Sequence, residues 1–298
     1  MAERFCTLGG DVELCYETFG DRAAPALLLT MGLATQMIGW HEEFCRALAD
    51  RGFHVIRYDN RDVGRSTAVK GPVPSVLQLL RRDKRAATYT LDDLAADGVG
   101  LLDHLGIERA HVMGASMGGM IAQTMAARHH DRVLSLVSMM SNTGARWIGE
   151  PSPRLYRVLL KASPRDREAY IEHAVWVFRK IGSPGFPPDD EQLRELAAQS
   201  FDRGRNPAGA ARQLAAIIAS GDRTPLLRTI SAPTLVIHGK QDRLVPLSGG
   251  RATARAIPGS RLLVIDGMGH DIPRGAWPRM LDAIEQHAAR AGMHAAAA

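Results

Sequence analysis

The chain has 298 residues, of which 45% are hydrophobic and 23% are charged, and its formal net charge is +5 at pH 7. These values are typical of a globular protein with one large domain or two small ones. The charge is too small and too scattered for a nucleic-acid-binding protein, and an aromatic content of 5% argues against base-stacking surfaces. The tightest basic cluster, residues 81–85, also contains Asp83, so we interpret it as a solvated loop or helix face.

Hydrophobic periodicity predicts an alternation of strands and helices along the first 141 residues. Two strands at 3–9 and 11–20 flank Gly9-Gly10-Asp11, which is a hairpin signal. Further apolar or alternating runs predict strands at 25–31, 53–59, 109–115 and 132–140. Helical spacing is found between them at 39–52, 89–106 and 117–130. Because strands alternate with helices, we predict an α/β fold with a mostly parallel sheet and helices on both faces.

The alternation stops near Ser141 and resumes about ninety residues later, at the run "APTLVIHG". Between these points the sequence has several helical stretches, proline-rich breakers and no convincing strand. A last strand at 260–266 and a helix from about Trp277 complete the pattern. We predict a core in two parts, at residues 1–141 and 226–298, and a helical cap at residues 142–225 that is inserted after the sixth strand. Such an insertion usually covers the carboxyl ends of the strands, where open α/β sheets bind ligands.

Residues 114–118, GASMG, fit the pattern G-x-S-x-G. The match alone is weak evidence, because Ser116 could simply cap the following helix. Its position is more informative, since a predicted strand ends just before Ser116 and a predicted helix begins just after it. Side chains beside such a tight strand–helix turn would clash, and Gly114 and Gly118 avoid that clash. We therefore predict that Ser116 is a nucleophile whose hydroxyl is raised into a cleft.

A serine nucleophile needs a general base and an acid that orients the base. Asp242 follows the strand "TLVIHG", and His270 follows the strand "LLVID". The carboxyl ends of parallel strands meet at one edge of a sheet, so both side chains are expected beside Ser116. The chain order serine, acid, histidine is the order that this architecture uses. We predict a catalytic triad of Ser116, Asp242 and His270.

The other histidines form no comparable constellation. His238 ends a strand near Asp242, where it could support the acid or simply pack in the core. The run His129-His130-Asp131 suggests a metal site, but its spacing is poor and it lacks a third ligand, so we expect no metal. Asp266 and Asp271 bracket His270 too closely in sequence to orient it.

Acyl transfer also requires two donors for the developing oxyanion. The backbone amide of Met117 would be the first, because it begins a helix directly after Ser116. The second should come from the turn that follows the strand at 25–31, where Leu33 is our candidate and Gly32 the alternative.

With these residues in place, the chain resembles the α/β-hydrolase family over residues 1–141 and 226–298. The resemblance rests on the turn at Met31-Gly32 and on the stretches "YDNRDVGRST", "GASMGG", "GKQDRLVP" and "GMGHDIP". It implies that Asp59, Arg61, Gly64 and Ser66 form a structural loop beside the oxyanion turn. The core is similar to actinobacterial methylesterases of the aclacinomycin type and to related lipase-like esterases, whereas the cap shows no such similarity.

The resemblance and the predicted triad together imply a serine carboxylic-ester hydrolase that uses an acyl-enzyme and no cofactor. The expected partner is a small to medium apolar ester, and we expect neither nucleic acid nor a membrane span. A narrower possibility is a methylesterase acting on a polyketide or another aromatic methyl ester. An aminopeptidase would need acidic cap residues facing the site, for which Glu150, Glu168 and Glu172 are available. A hydrolase-like binding protein without turnover is a further alternative.

Several methionines fall near the predicted site and could line an adaptable acyl pocket, although each could equally fill the core: Met31, Met117, Met139, Met140 and Met268. The aromatic residues of the cap could line a lid or pack it onto the core. Trp176 is our candidate for the pocket, and the others are Trp147, Tyr156, Phe178, Phe186 and Phe201.

The N-terminus and the cysteines bear on location. Cys6, Cys15 and Cys45 are odd in number and lack metal-ligand spacing, which indicates reduced thiols in a cytoplasmic protein. We place Cys6 and Cys15 on neighbouring strands. The first ten residues lack the apolar stretch of a signal peptide. The sequence leaves the oligomeric state open.

Overall fold

The computed structural model of the chain describes residues 2–152, 155 and 163–297. In this part, eight strands form one sheet: β1 (Arg4–Thr7), β2 (Glu13–Phe19), β3 (Ala26–Thr30), β4 (His54–Tyr58), β5 (Ala110–Ala115), β6 (Val133–Met139), β7 (Thr234–Gly239) and β8 (Arg261–Ile265). The α-helices are α1 (Glu42–Ala49), α2 (Val76–Leu80), α3 (Leu91–His104), α4 (Met117–Arg128), α5 (Arg167–Ile181), α6 (Asp190–Arg203), α7 (Pro207–Ser220), α8 (Thr224–Leu227), α9 (Leu247–Ala256) and α10 (Trp277–Ala297).

The strands follow the order β1-β2-β4-β3-β5-β6-β7-β8 across the sheet. β2 pairs antiparallel with β1 and β4, and the remaining neighbours pair in parallel. The carboxyl ends of β3, β5, β7 and β8 therefore meet at one edge. The predicted mostly parallel sheet is confirmed, and Cys6 and Cys15 do lie on the neighbouring strands β1 and β2.

Helices cover both faces of the sheet because the central strands are apolar on both sides. In β3, Leu28 belongs to a core cluster that includes residues of α3 and α4, whereas Leu27 and Leu29 belong to a second cluster with residues of α1 and α10. This alternation is the period of two that a strand imposes on its side chains. All three leucines are buried, and burying each side chain stabilises the fold by roughly 2 kcal/mol.

The helical insertion leaves the sheet after β6 and returns to it at β7, as predicted. Two buried ion pairs fasten it to the core: Arg203 Nη2 lies 2.8 Å from Asp59 Oδ2, and Arg212 Nη2 lies 2.6 Å from Asp62 Oδ1. Both carboxylates are fully buried. Loss of either arginine would leave a buried charge without its partner, which typically costs about 3–5 kcal/mol. The segment boundaries at residues 141 and 225 stay a prediction.

The segment between β4 and α3 contains a helix that the sequence patterns left unassigned. α2 begins at a capping box in which Ser75 Oγ accepts from the amide of Gln78. The basic cluster that follows it is a surface feature, since Arg85 is almost fully exposed and Arg82 is ion-paired with Glu150.

Candidate active site

Ser116 occupies the turn between β5 and α4 in a strained backbone conformation. Its φ and ψ are 57° and −118°, an arrangement that non-glycine residues rarely adopt. Its amide donates to the carbonyl of Met139 at 2.9 Å, and its carbonyl accepts from the amide of Met120 at 3.2 Å. These bonds tie the strained residue to the neighbouring strand and to the first turn of α4. Ser116 is half-buried.

The glycines around Ser116 are required by close backbone contacts. A Cβ atom on Gly114 would overlap the carbonyl group of Gly118, and a Cβ atom on Gly118 would overlap the carbonyl oxygen of Thr30. On Gly119, a Cβ atom would lie 2.7 Å from Cβ of Ser141. Strand and helix thus approach each other so closely that no side chain fits between them. This is the steric reason for three glycines beside one serine.

The three residues of the predicted triad lie within hydrogen-bond distance of one another. His270 Nε2 is 3.0 Å from Ser116 Oγ, and His270 Nδ1 is 2.8 Å from Asp242 Oδ2. An ionised carboxylate can only accept, so Nδ1 donates to Asp242 and Nε2 is left to accept the serine proton. Asp242 and His270 are both buried.

The local chain fixes the Asp242 carboxylate. Its Oδ1 atom accepts from the amides of Leu244 and Val245, at 2.9 and 2.8 Å, so that only Oδ2 faces His270. His238 Nε2 donates to the carbonyl of Val245 at 2.7 Å and lies 3.6 Å from Asp242 Oδ2. Burial lowers the pKa of His238, which favours the neutral ring. His238 therefore supports the turn that carries the acid, and its ring also packs against Gly250.

The loop that carries His270 is bonded to the cap. The amide of His270 donates to the carbonyl of Ile181 at 2.8 Å, and the amide of Gly269 donates to Ser183 Oγ at 2.8 Å. Ser183 in turn donates to the carboxylate of Asp271 through its hydroxyl and its amide. Burial raises the pKa of Asp271, and the two bonds from Ser183 oppose that rise. The sequence carried no signal for Ile181 or Ser183 at this site.

The turn after β3 lies directly beside the serine. A Cβ atom on Gly32 would lie 3.2 Å from Cβ of Ser116. Ala34 has a φ of 54°, so the chain reverses at a left-handed residue. Within the described residues the amide of Leu33 has no hydrogen-bond acceptor. The amide of Met117 begins α4 and so lacks an acceptor within the helix. Leu33 and Met117 as oxyanion donors, with Gly32 as the alternative, stay a prediction.

The loop "DNRDVGRS" braces this turn. Asp59 accepts from the amides of Met37 and Arg65 at 2.7 and 3.0 Å, and a Cβ atom on Gly64 would overlap its carboxylate. Ser66 Oγ donates to the carbonyl of Asp59 at 2.6 Å. Arg61 is ion-paired with Asp97 on α3. These contacts are structural, in agreement with the supporting role that the resemblance implied.

The predicted pocket residues divide into two groups. Four methionines are buried members of the second core cluster: Met31, Met139, Met140 and Met268. That location fits the alternative that they fill the core, and their role in a pocket stays a prediction. Trp176 is on the cap helix α5 with 37% of its surface exposed, whereas Phe186 packs against the second core cluster. Tyr156 lies outside the described residues.

The remaining sequence predictions concern metal ligands, the pair His129 and His130, the cysteines and a membrane span. Among the described residues, no group of three or more His, Cys, Asp and Glu side chains is arranged to hold a metal ion. His129 and His130 lie in the turn that ends α4. The three cysteines are free and buried. In the part of the chain that the structure describes, no helix is both long and apolar enough to cross a membrane.

The acidic residues that an aminopeptidase would need lie close to arginine side chains. Glu150 is ion-paired with Arg82, and Glu172 is ion-paired with Arg194. Glu168 lies 4.0 Å from the same Arg194 and is largely exposed. All three carboxylates are thus engaged with arginines near the surface.

Comparisons with known proteins agree with this architecture. A family model described as the alpha/beta hydrolase fold matches residues 25–273. Rhodomycin D methylesterase DauP of a Streptomyces species is 30% identical, and the match covers 93% of this chain and 95% of that protein. The 3-oxoadipate enol-lactonase 2 of Acinetobacter baylyi is also 30% identical, over 86% of each chain. Among solved structures, the enol-lactonase from Burkholderia xenovorans is similar with a TM-score of 0.72 and 27% identity, covering 97% of this chain and all of that one.

Proposed function

Since the chain belongs to the α/β-hydrolase family, we propose that the protein is a serine carboxylic-ester hydrolase. One observation carries the proposal: a continuous series of hydrogen bonds runs from Ser116 Oγ through His270 to Asp242, with distances of 3.0 and 2.8 Å. A hydroxyl at neutral pH is a weak nucleophile until a base removes its proton, and this arrangement supplies the base. The relatives named as a methylesterase and an enol-lactonase support a reaction at an ester bond.

The proposed reaction proceeds through an acyl-enzyme. Ser116 Oγ attacks the ester carbonyl carbon while His270 Nε2 takes its proton, and Asp242 stabilises the resulting imidazolium. The tetrahedral intermediate collapses, the C–O bond to the alcohol breaks, and His270 gives the proton to the leaving alcohol. Water then attacks the acyl carbon while His270 takes its proton, the bond from that carbon to Ser116 Oγ breaks, and His270 returns the proton to Ser116 as the carboxylic acid leaves.

The amides of Met117 and Leu33 would hold the oxyanion in both tetrahedral intermediates. The Met117 amide also lies at the positive end of the α4 dipole, which favours a developing negative charge. Loss of one such donor typically costs about 3 kcal/mol of transition-state stabilisation.

For the substrate, we propose a small to medium apolar ester bound under the cap. A second candidate is a methyl ester of a polyketide or another aromatic acid, and the relative named as a rhodomycin D methylesterase favours it. An aminopeptidase activity is disfavoured, because the three cap carboxylates that it would use are engaged with Arg82 and Arg194. We place the protein in the cytoplasm, since its three buried cysteines are free.

The nucleophile is tested by Ser116→Ala, assayed on p-nitrophenyl esters. We expect turnover to fall by about 10⁶-fold with an unchanged fold by circular dichroism. Ser141→Ala is the matched control, because this neighbouring buried serine has a hydroxyl without a partner among the described residues. Retained turnover in Ser116→Ala would overturn the nucleophile assignment. A panel of esters that varies acyl length and alcohol size, with lactone and amide members, separates the two substrate candidates.

A further inference from the structure

A glutamine of the cap reaches the turn that carries the predicted oxyanion donor. Gln213 lies on α7 and is completely buried. Its Oε1 atom accepts from the amide of Ala34 at 2.8 Å, and its Nε2 atom donates to the carbonyl of Arg61 at 2.9 Å. One side chain of the cap thus joins the oxyanion turn to the loop that braces it.

The bond to Ala34 completes the fixation of one peptide unit. The carbonyl of Leu33 accepts from the hydroxyl of Thr35 at 3.1 Å, while the amide of Ala34 at the other end of that peptide is held by Gln213. On the preceding side, the carbonyl of Met31 accepts from Asn60 Nδ2 at 3.0 Å. The amide of Thr35 also donates to the carbonyl of Gly32 at 3.2 Å, so the core supplies three of these four points of attachment and the cap supplies the fourth.

The conformation of Ala34 makes its hydrogen bond to Gln213 important. Its φ of 54° is left-handed, so the turn needs its neighbours to hold it. The Ala34 residue is exposed, which means that its amide could turn towards water if Gln213 were lost. The peptide between Leu33 and Ala34 would then lose its attachment to the cap. Because the amide of Leu33 belongs to the adjacent peptide, we expect a rotation here to shift it from the position where it can hold an oxyanion.

We propose that Gln213 is a positioning residue for the oxyanion turn, so that this one side chain of the cap, and not the seating of the cap as a whole, orients the predicted donor. The proposal rests on the proposed ester-hydrolase function. Arg212, the adjacent residue of α7, makes a bidentate ion pair with Asp62, at 2.8 and 2.6 Å. Anchoring of the cap and orientation of the turn are therefore assigned to two neighbouring side chains, which can be tested separately.

The test replaces Gln213 by methionine, which keeps the length of the side chain and removes both hydrogen bonds. We expect Gln213→Met to lower kcat about 10- to 100-fold with KM within about twofold, because a misplaced donor weakens only the transition state. Affinity for a trifluoromethyl ketone should fall by the same factor, since its adduct with Ser116 carries an oxyanion. Assays are made well below the thermal midpoint of each variant.

Arg212→Lys is the matched control, as it weakens the neighbouring tie to Asp62 without touching Ala34. We expect it to lower the thermal midpoint while kcat stays within about threefold of the wild type. If Gln213→Met does not fold, Gln213→Asn serves instead, because the shorter amide cannot reach both partners.

The positioning role is overturned if the Gln213 variant keeps kcat and ketone affinity within threefold of the wild type. It is equally overturned if Arg212→Lys loses as much kcat, which would indicate general loosening of the cap. Failure of the proposed function looks different: the wild type would not cleave esters, and Ser116→Ala would change nothing.

Discussion

The parts of the candidate site are held in two different ways. Among the described residues, Ser116 and Asp242 are held by contacts of the core, at Gly114 and Gly118 and at the amides of Leu244 and Val245. The oxyanion turn and the His270 loop, in contrast, also bond to the cap. The difference is what we expect if the cap is part of the site and not only a cover for it.

The two kinds of attachment differ in their physics. Backbone contacts around Ser116 are steric and leave no freedom, because no side chain fits between β5 and α4. The attachments of the oxyanion turn and of the His270 loop to the cap are individual hydrogen bonds that backbone amides donate to Gln213, Ile181 and Ser183. Each such bond typically contributes about 1 kcal/mol. Substitutions at the steric contacts of the core should therefore cause large losses in stability or kcat. Substitutions at the hydrogen bonds to the cap should cause partial losses.

The largest effect is expected on the core side, at Asp242→Asn. The amides of Leu244 and Val245 will hold the asparagine oxygen where Oδ1 now lies, so the NH₂ group faces His270 Nδ1. His270 must then carry its proton on Nε2 and cannot accept one from Ser116. We expect kcat to fall about 10⁴-fold, measured on p-nitrophenyl esters.

Asp266→Asn is the control for this substitution, because Asp266 is an exposed residue that pairs with Lys240. A near-wild-type rate in Asp242→Asn would remove Asp242 from the triad.

Gly118→Ala sharpens the steric half of the comparison. Its methyl group would overlap the carbonyl oxygen of Thr30, which is backbone and cannot move aside. We expect a loss of about 3 kcal/mol or more in the free energy of unfolding, measured by denaturant titration. Gly9→Ala is the matched control, since a Cβ atom there meets nothing within 4 Å. Equal stability of the two variants would refute the steric argument.

A smaller and graded effect is expected on the cap side, at Ser183→Ala. This change leaves the amide of Gly269 and the carboxyl of Asp271 without the serine hydroxyl, so we expect a loss of roughly 1–3 kcal/mol in stability. kcat on p-nitrophenyl esters should fall by roughly tenfold as the His270 loop loosens.

The stability loss in Ser183→Ala should also depend on pH. Burial raises the pKa of Asp271 and the bonds from Ser183 oppose that rise, so loss of the hydroxyl bond raises this pKa further above the unfolded value. The folded variant then binds a proton more readily than the folded wild type, and its deficit in stability grows as the pH rises above the ordinary pKa of an aspartate carboxyl. Ser260→Ala, which removes a hydroxyl remote from the site, should show neither the loss in kcat nor this pH dependence. A pH-independent loss would contradict the role given to Asp271.

The features of the core could be predicted from the sequence. The parallel sheet, the insertion after the sixth strand and the close approach around Ser116 follow from local patterns, because hydrophobic periodicity and glycine spacing act within a few residues. The edge where Asp242 and His270 meet Ser116 follows from strand direction alone.

The cap contacts could not be predicted, because they join residues far apart in the chain. Gln213 and Ala34 are 179 positions apart, and Ser183 and Asp271 are 88 apart. A weak signal for Gln213 does exist, since Arg212 and Gln213 interrupt an otherwise apolar stretch of α7. A polar pair on a buried helix face indicates that partners exist, but it does not identify them.

The two ends of the insertion are neighbours in space, since Met139 of β6 pairs with Ile237 of β7. A loop whose ends are already adjacent changes its closure entropy only slowly with length, by about 0.6 kcal/mol for each doubling. Insertions of other lengths could therefore replace this one with little penalty in closure entropy. An exchanged cap would still need partners for the buried carboxylates of Asp59 and Asp62, in place of Arg203 and Arg212. It would also need counterparts of Gln213 and Ser183 to hold the oxyanion turn and the His270 loop.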